Sequence, residues 1–119
     1  MVARTDKTHL YPHQTLEKGE QLVSSGFRLI LQDDGDLALK CGPYSIMVWN
    51  TDTAKTKASR LICDWSGNLV LVDSEGNTHW TSETTGKGID RFVLQDDGNF
   101  VGYSEEKMIW QTYTANKCK

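Results

Sequence analysis

The chain has 119 residues, 38% of them apolar, and a formal net charge of −3 at pH 7. That length makes one domain with a core of its own, and no apolar run approaches the roughly 20 residues of a membrane-spanning helix. The slight acidity, with no basic cluster interleaved with aromatics, speaks against nucleic acid as a partner. Ten glycines point to many short strands and turns rather than long amphipathic helices. Residues 1–12 show no periodicity and are expected to be a loose or edge segment. The first seven, Met1 to Lys7, lack the apolar stretch of a secretory signal, so that none exists or it has been removed. Residues 14–23, with a turn at Gly19, supply the strand or two needed to complete a sheet.

From Arg28 onward the chain repeats itself. Residues 28–40, 60–72 and 91–103 align without gaps at offsets of 32 and 31 residues. Each segment is followed by a Trp with Thr or Ser two places on: Trp49-Asn50-Thr51, Trp80-Thr81-Ser82 and Trp110-Gln111-Thr112. The repeats span about 27–51, 59–82 and 90–112, and each reads as strand, Gly-centred turn, strand, second turn and a strand ending in Trp. The inner turns are Asp34-Gly35, Ser66-Gly67 and Asp97-Gly98. A three-stranded unit cannot bury its one apolar face alone, whereas three units around a pseudo-threefold axis can bury theirs against one another. Residues two apart on a strand share a face. Leu29 and Leu31, Leu61 and Cys63, and Phe92 and Leu94 therefore form an inward set, continued by Leu37, Leu39, Leu69, Leu71 and Phe100, with Trp49, Trp80 and Trp110 as central rings.

The opposite parity of the third repeat carries Gln95, Asp97, Asn99, Val101 and Tyr103. Read as extended backbone bent at Asp97-Gly98, this row converges on one side as amide, carboxylate, amide, apolar surface and phenol. It offers fixed donors and acceptors for hydroxyls and an apolar wall for the C–H face of a ring, which suits a small polyhydroxylated ligand. The same residues would also serve an ordinary surface hairpin.

Gln95-x-Asp97-x-Asn99-x-Val101-x-Tyr103 matches the sugar-binding motif of the monocot (bulb-type) mannose-binding lectins, and the chain resembles that family over about residues 15–113. The triplication, the Trp-x-Thr/Ser endings and the lead-in Thr15-Leu16-Glu17-Lys18-Gly19-Glu20-Gln21-Leu22 are similar too. The resemblance implies an all-β, β-prism II domain of three antiparallel four-stranded sheets around a pseudo-threefold axis. It also implies a lectin for α-mannose and high-mannose glycans that needs no metal or cofactor, sits free of the membrane and pairs through exchange of the C-terminal strand, here 107–114. On this likeness Asp97 and Asn99 would hold the axial O2 of mannose, Gln95 would reach O3, Tyr103 would reach O4 and Val101 would touch the C3–C4 face. The first repeat departs from the motif: Gln32 and Asp34 stand, but Asp36, Ala38 and Lys40 replace Asn, Val and Tyr, leaving a weak second site. The second repeat, with Asp64, Ser66, Asn68, Val70 and Val72, keeps only the Asn and Val and is degenerate.

Other chemistry finds less support. Cys41 and Cys63 do not fall in the register of the plant lectins' disulfide, whose first Cys lies at the Gly35 position. Cys63 reads as a buried free thiol and Cys118 as an odd third. With no signal sequence, this unpaired count favours a reducing compartment, cytoplasmic or reached by non-classical release. Asp33-Asp34-Gly35-Asp36 and Asp96-Asp97-Gly98 fail the EF-hand spacing, and His9, His13 and His79 have no metal-ligand spacing. No nucleophile elbow, Cys–His pair or phosphate loop occurs, so no enzyme is expected. Trp65 stands where the other repeats have Asp33 and Asp96 and reads as an exposed or interface aromatic. It and the two degraded sites leave an alternative, a structural or protein-interaction prism that no longer depends on sugar.

Overall fold

Alternation of apolar and polar residues makes each repeat a short antiparallel meander with one face to bury. The computed structural model describes residues 8–118. Its strands are β1 (His9–Leu10), β2 (Thr15–Glu17), β3 (Gln21–Ser24), β4 (Phe27–Leu31), β5 (Leu37–Cys41), β6 (Ile46–Asn50), β7 (Arg60–Cys63), β8 (Leu69–Val72), β9 (Thr78–Thr81), β10 (Arg91–Leu94), β11 (Phe100–Ser104) and β12 (Lys107–Gln111). They form three four-stranded sheets, ordered β3-β4-β5-β6, β2-β7-β8-β9 and β1-β10-β11-β12. This is the β-prism II architecture. Each repeat contributes three strands, and the lead-in distributes β3, β2 and β1 as fourth strands to the first, second and third repeats.

The inward set packs as its parity requires. Leu10, Leu16 and Leu22, one from each lead-in strand, are fully buried together with Leu29, Leu31, Leu37, Leu39, Leu61, Cys63, Leu69, Leu71, Phe92 and Phe100. The three Trp residues, half-buried against this core, close a ring of edge-to-face contacts. Their centroids lie 5.8 Å (Trp49–Trp80), 6.3 Å (Trp49–Trp110) and 6.1 Å (Trp80–Trp110) apart, the arrangement that the ring quadrupoles favour.

The structure sharpens one expectation and corrects another. Of the two readings of segment 1–12, loose or edge, the residues from Thr8 onward are not loose but supply an edge strand: His9 and Leu10 pair with Val93 and Phe92, and Leu10 enters the core. Residues 1–7 lie outside those described. Cys118 is not an odd thiol either, since it forms a disulfide with Cys41 across 77 residues, and the inference of a reducing compartment loses its premise. Such a pairing is invisible to local register, because only the fold brings the chain end back to β5. Cys63 is the free, buried cysteine among the described residues, and burial pushes its thiol up to about 12.

A tight approach between sheets fixes the third inner turn. Gly98 has φ +92°, and a Cβ there would overlap the ring of Phe27 from the neighbouring sheet. Gly98→Ala should therefore lose about 2–4 kcal/mol, left-handed strain added to overpacking. Gly76→Ala serves as control: its φ is +86° but nothing lies within 4 Å, so it should lose only about 1 kcal/mol. Urea midpoints of the two variants measure the difference, and equal losses would refute the packing role of Phe27.

Candidate functional site

The row of the third repeat converges, though not as an extended strand. β10 ends at Leu94 and β11 begins at Phe100, so Gln95, Asp97 and Asn99 belong to the turn between them. The turn is closed by Gln95 N–H donating to Asn99 O (2.9 Å) and Gly98 N–H donating to Gln95 O (2.9 Å). Asp96 leaves the row and accepts from the hydroxyls of Ser24 (2.7 Å) and Ser25 (2.9 Å). Those bonds hold its carboxyl below the usual carboxylate range.

Within the row one hydrogen-bonded chain runs through the side chains of Tyr103, Gln95 and Asp97 to the backbone of Asn99. The Tyr103 hydroxyl donates to Gln95 Oε1. Gln95 Nε2 donates to Asp97 Oδ1 (3.3 Å) and Oδ2 (3.4 Å), and Asn99 N–H donates to Asp97 Oδ1 (2.9 Å). Arg91, opposite Tyr103 in the β10–β11 register, lies 4.8 Å over the Tyr103 ring and pairs with Asp90 at 2.6 Å. It thereby helps hold the phenol in place. Val101 lies on the expected face, between Val93 on β10 and Gln111 on β12, but it is fully buried. It is a covered floor, not the open apolar wall expected.

Asn99 has a second task that sequence reasoning missed. Its Oδ1 accepts from Thr112 Oγ1 (3.2 Å) and Thr114 N–H (3.2 Å), while Thr114 Oγ1 donates to Gly98 O (2.6 Å). The same clasp occurs at Asp36 with Thr51 and Thr53 and at Asn68 with Ser82 and Thr84. The signal was present as a second Thr, so that each ending reads Trp-x-Thr/Ser-x-Thr. Asn99 Nδ2 donates to Gln111 Oε1 (2.9 Å), which makes Gln111 a further residue of the site.

The other repeats differ at these atoms. In the first, Gln32 Nε2 donates to Asp34 (3.1 Å) as in the third. The Asp36 N–H, with help from Gln32 and Lys40 and against desolvation, holds the Asp34 carboxyl below its usual range. Asp36 Oδ2, however, accepts from Asn50 Nδ2 (2.8 Å), so an acceptor stands where the third repeat has a donor. In the second, Asp64 Oδ1 folds back to accept from Ser66 N–H (2.9 Å), Ser66 Oγ (2.6 Å) and Asn68 N–H (3.1 Å). Asn68 is buried, and Val70 is half-buried on the outer face. Among the described residues no group of three or more His, Cys, Asp or Glu is placed to hold a metal ion.

Comparison with known proteins gives the same picture. No family model matches the chain. It is 30% identical over 110 residues to the B-type lectin plumieribetin of Scorpaena plumieri, covering 87% of this chain and 93% of that one. It is 29% identical over 105 residues to mannose-specific lectin 1 of Crocus vernus, covering 87% of this chain but 39% of the crocus protein, so it spans well under half of that relative. Among solved structures, the snowdrop (Galanthus nivalis) mannose-specific agglutinin complexed with methyl α-D-mannoside superposes with a TM-score of 0.74 at 32% identity, covering 91% of this chain and 97% of that one. Monomeric mannose-binding lectins of Gastrodia elata reach 0.80 at 29% identity, covering 92% and 99%. Sequence repeat, sheet topology and these likenesses agree: the chain belongs to the B-type lectins, the family of the monocot mannose-binding lectins.

Proposed function

We propose that the chain is a non-catalytic lectin that binds α-mannose without metal, through Gln95, Asp97, Asn99 and Tyr103. The observation that carries this reading is the unbroken Tyr103–Gln95–Asp97–Asn99 hydrogen-bonded chain of the third repeat. Each member keeps capacity for a hydroxyl. An amide nitrogen has two protons, so Gln95 and Asn99 each retain one after bonding to Asp97 and Gln111. Asp97 keeps free lone pairs, and the phenol oxygen of Tyr103 can accept while it donates to Gln95. An axial O2 can donate to Asp97 and accept from Asn99. Glucose, with an equatorial O2, places that oxygen elsewhere. Val101, fully buried, is left out of the contact set.

The first repeat is a weaker site, because Asp36 presents an acceptor and Lys40 replaces the phenol. The second is closed by the fold-back of Asp64. Relatives named mannose-specific lectins support the same ligand class. Avidity for high-mannose glycans would come from several sites on one particle, and exchange of 107–114 between two chains is one route to it.

About four hydrogen bonds at roughly 1 kcal/mol net each give an expected affinity for free mannose near the millimolar range. NMR titration with methyl α-mannoside in EDTA, with methyl α-glucoside as control, should give saturable shifts at Asn99 and Tyr103 with the mannoside alone. Equal shifts with both sugars, or none with either well above millimolar concentration, would sink the proposal.

A further inference from the structure

The lead-in strands distinguish the three sheets at a place the sugar motif does not reach. β1 flanks β10 at the edge of the third repeat's sheet, with His9 opposite Val93, and Val93 in turn opposite Val101. Leu10 points inward, so alternation puts His9 and Tyr11 on the outer face, the face of Val101 and Tyr103. Tyr11 is 45% exposed, and its ring runs parallel to that of His9, with centroids 5.5 Å apart and planes 11° off. The corresponding pairs on the other two sheets are Thr15 with Glu17 and Gln21 with Val23. Glu17 is committed to Arg60 at 2.8 Å. Among the described residues, this aromatic pair on a lead-in strand belongs to the sheet whose polar row is intact; the other stacked pair of this kind, His13 with Trp65, sits at the inner turn of the degenerate second repeat.

We propose that this surface is a second-ring subsite, in which Val93, His9 and Tyr11 take the sugar residue next to the mannose held by the primary site. The subsite rests on the lectin reading above and names its ligand as a mannose oligosaccharide. Two strand spacings separate β1 from β11, about 10 Å, the order of length of two linked pyranose rings. Pyranoses have an apolar C–H face and a rim of hydroxyls. Parallel rings bearing a phenol and an imidazole match both, as an apolar surface with polar tips. Arg91, held over Tyr103, lies on the path between the two subsites and leaves Tyr11 uncommitted to it.

The test is calorimetric or NMR titration of the full chain with methyl α-mannoside and with the methyl glycosides of α1,2-, α1,3- and α1,6-linked mannobiose. At least one disaccharide should bind roughly five- to tenfold more tightly than the monosaccharide, beyond the statistical gain from carrying two mannose rings. Tyr11→Ala should remove that gain and leave methyl α-mannoside affinity unchanged, which also shows that the variant is folded. Tyr11→Phe should keep most of it. A gain that survives both Tyr11→Ala and His9→Ala, or no gain with any linkage, overturns the subsite while the primary site stands. Absence of methyl α-mannoside binding by the native chain would instead overturn the primary reading and the subsite with it.

Discussion

Asn99→Asp should abolish detectable mannoside binding and leave the fold intact. The chain contains the control for this change, because the first repeat already carries Asp36 at the matching position. Asp36 Oδ1 accepts from Thr51 Oγ1 (3.2 Å) and Thr53 N–H (3.2 Å), the bonds that Asn99 Oδ1 accepts from Thr112 and Thr114. An Asp at 99 can therefore keep the clasp of the outgoing loop. Its second oxygen would meet Gln111 Oε1, a conflict relieved by turning the Gln111 amide so that its nitrogen donates, as Asn50 Nδ2 does to Asp36. Stability should change by less than about 1 kcal/mol. What is lost is the donor to the sugar, replaced by a second carboxylate beside Asp97. An unmatched polar group of this kind costs about 1–3 kcal/mol, or about five- to 150-fold, enough to move a millimolar interaction out of reach. NMR titration with a urea melt on the same sample reads both quantities. Native affinity in the variant would remove Asn99 from the site, and a collapsed melt would show that the clasp needs an amide.

The same position shows what the sequence carries and what it does not. Period-two alternation and the triplication place Leu29, Leu61 and Phe92 in the core and predict the three sheets, because a sheet with one buried face tolerates no other parity. The convergence of Gln95, Asp97 and Asn99 is also readable, although its cause is a closed five-residue turn, not an extended strand. The clasp was not read, since Thr114 gains its meaning only when β12 returns beside the turn. The burial of Val101 is unreadable for a related reason: parity gives the face of a residue and is silent on how deeply that face is covered. Cys118 is the extreme case. Its partner lies 77 residues away, and three cysteines admit several pairings that sequence cannot rank.

Removing that disulfide should have the largest effect on stability. Closing a 77-residue loop restricts the unfolded chain by up to about 4.5 kcal/mol in the chain-entropy view, a large share of the roughly 5–15 kcal/mol that holds a domain folded. Cys118→Ser should therefore lose about 2–4 kcal/mol by urea denaturation, and native protein treated with reductant should lose a similar amount. The loss reaches the sugar site through the chain end, because Asn116 N–H donates to Asp97 O at 2.7 Å and the disulfide anchors the residues just beyond. Mannoside affinity should fall modestly in Cys118→Ser, while Cys63→Ala, which touches neither, should leave it unchanged. Alkylation separates the thiols: the native chain should take no iodoacetamide, since Cys63 is buried with its thiol pushed up to about 12, and the reduced, still folded chain should react at Cys118, which is partly exposed, while Cys41 stays shielded in the core. Should strand 107–114 exchange between chains, the same bond would join two protomers, and a non-reducing gel would show a covalent dimer that reductant dissolves. A monomer band on that gel, with a melt unchanged by Cys118→Ser, would mean that the pairing of Cys41 with Cys118 contributes nothing to the folded state.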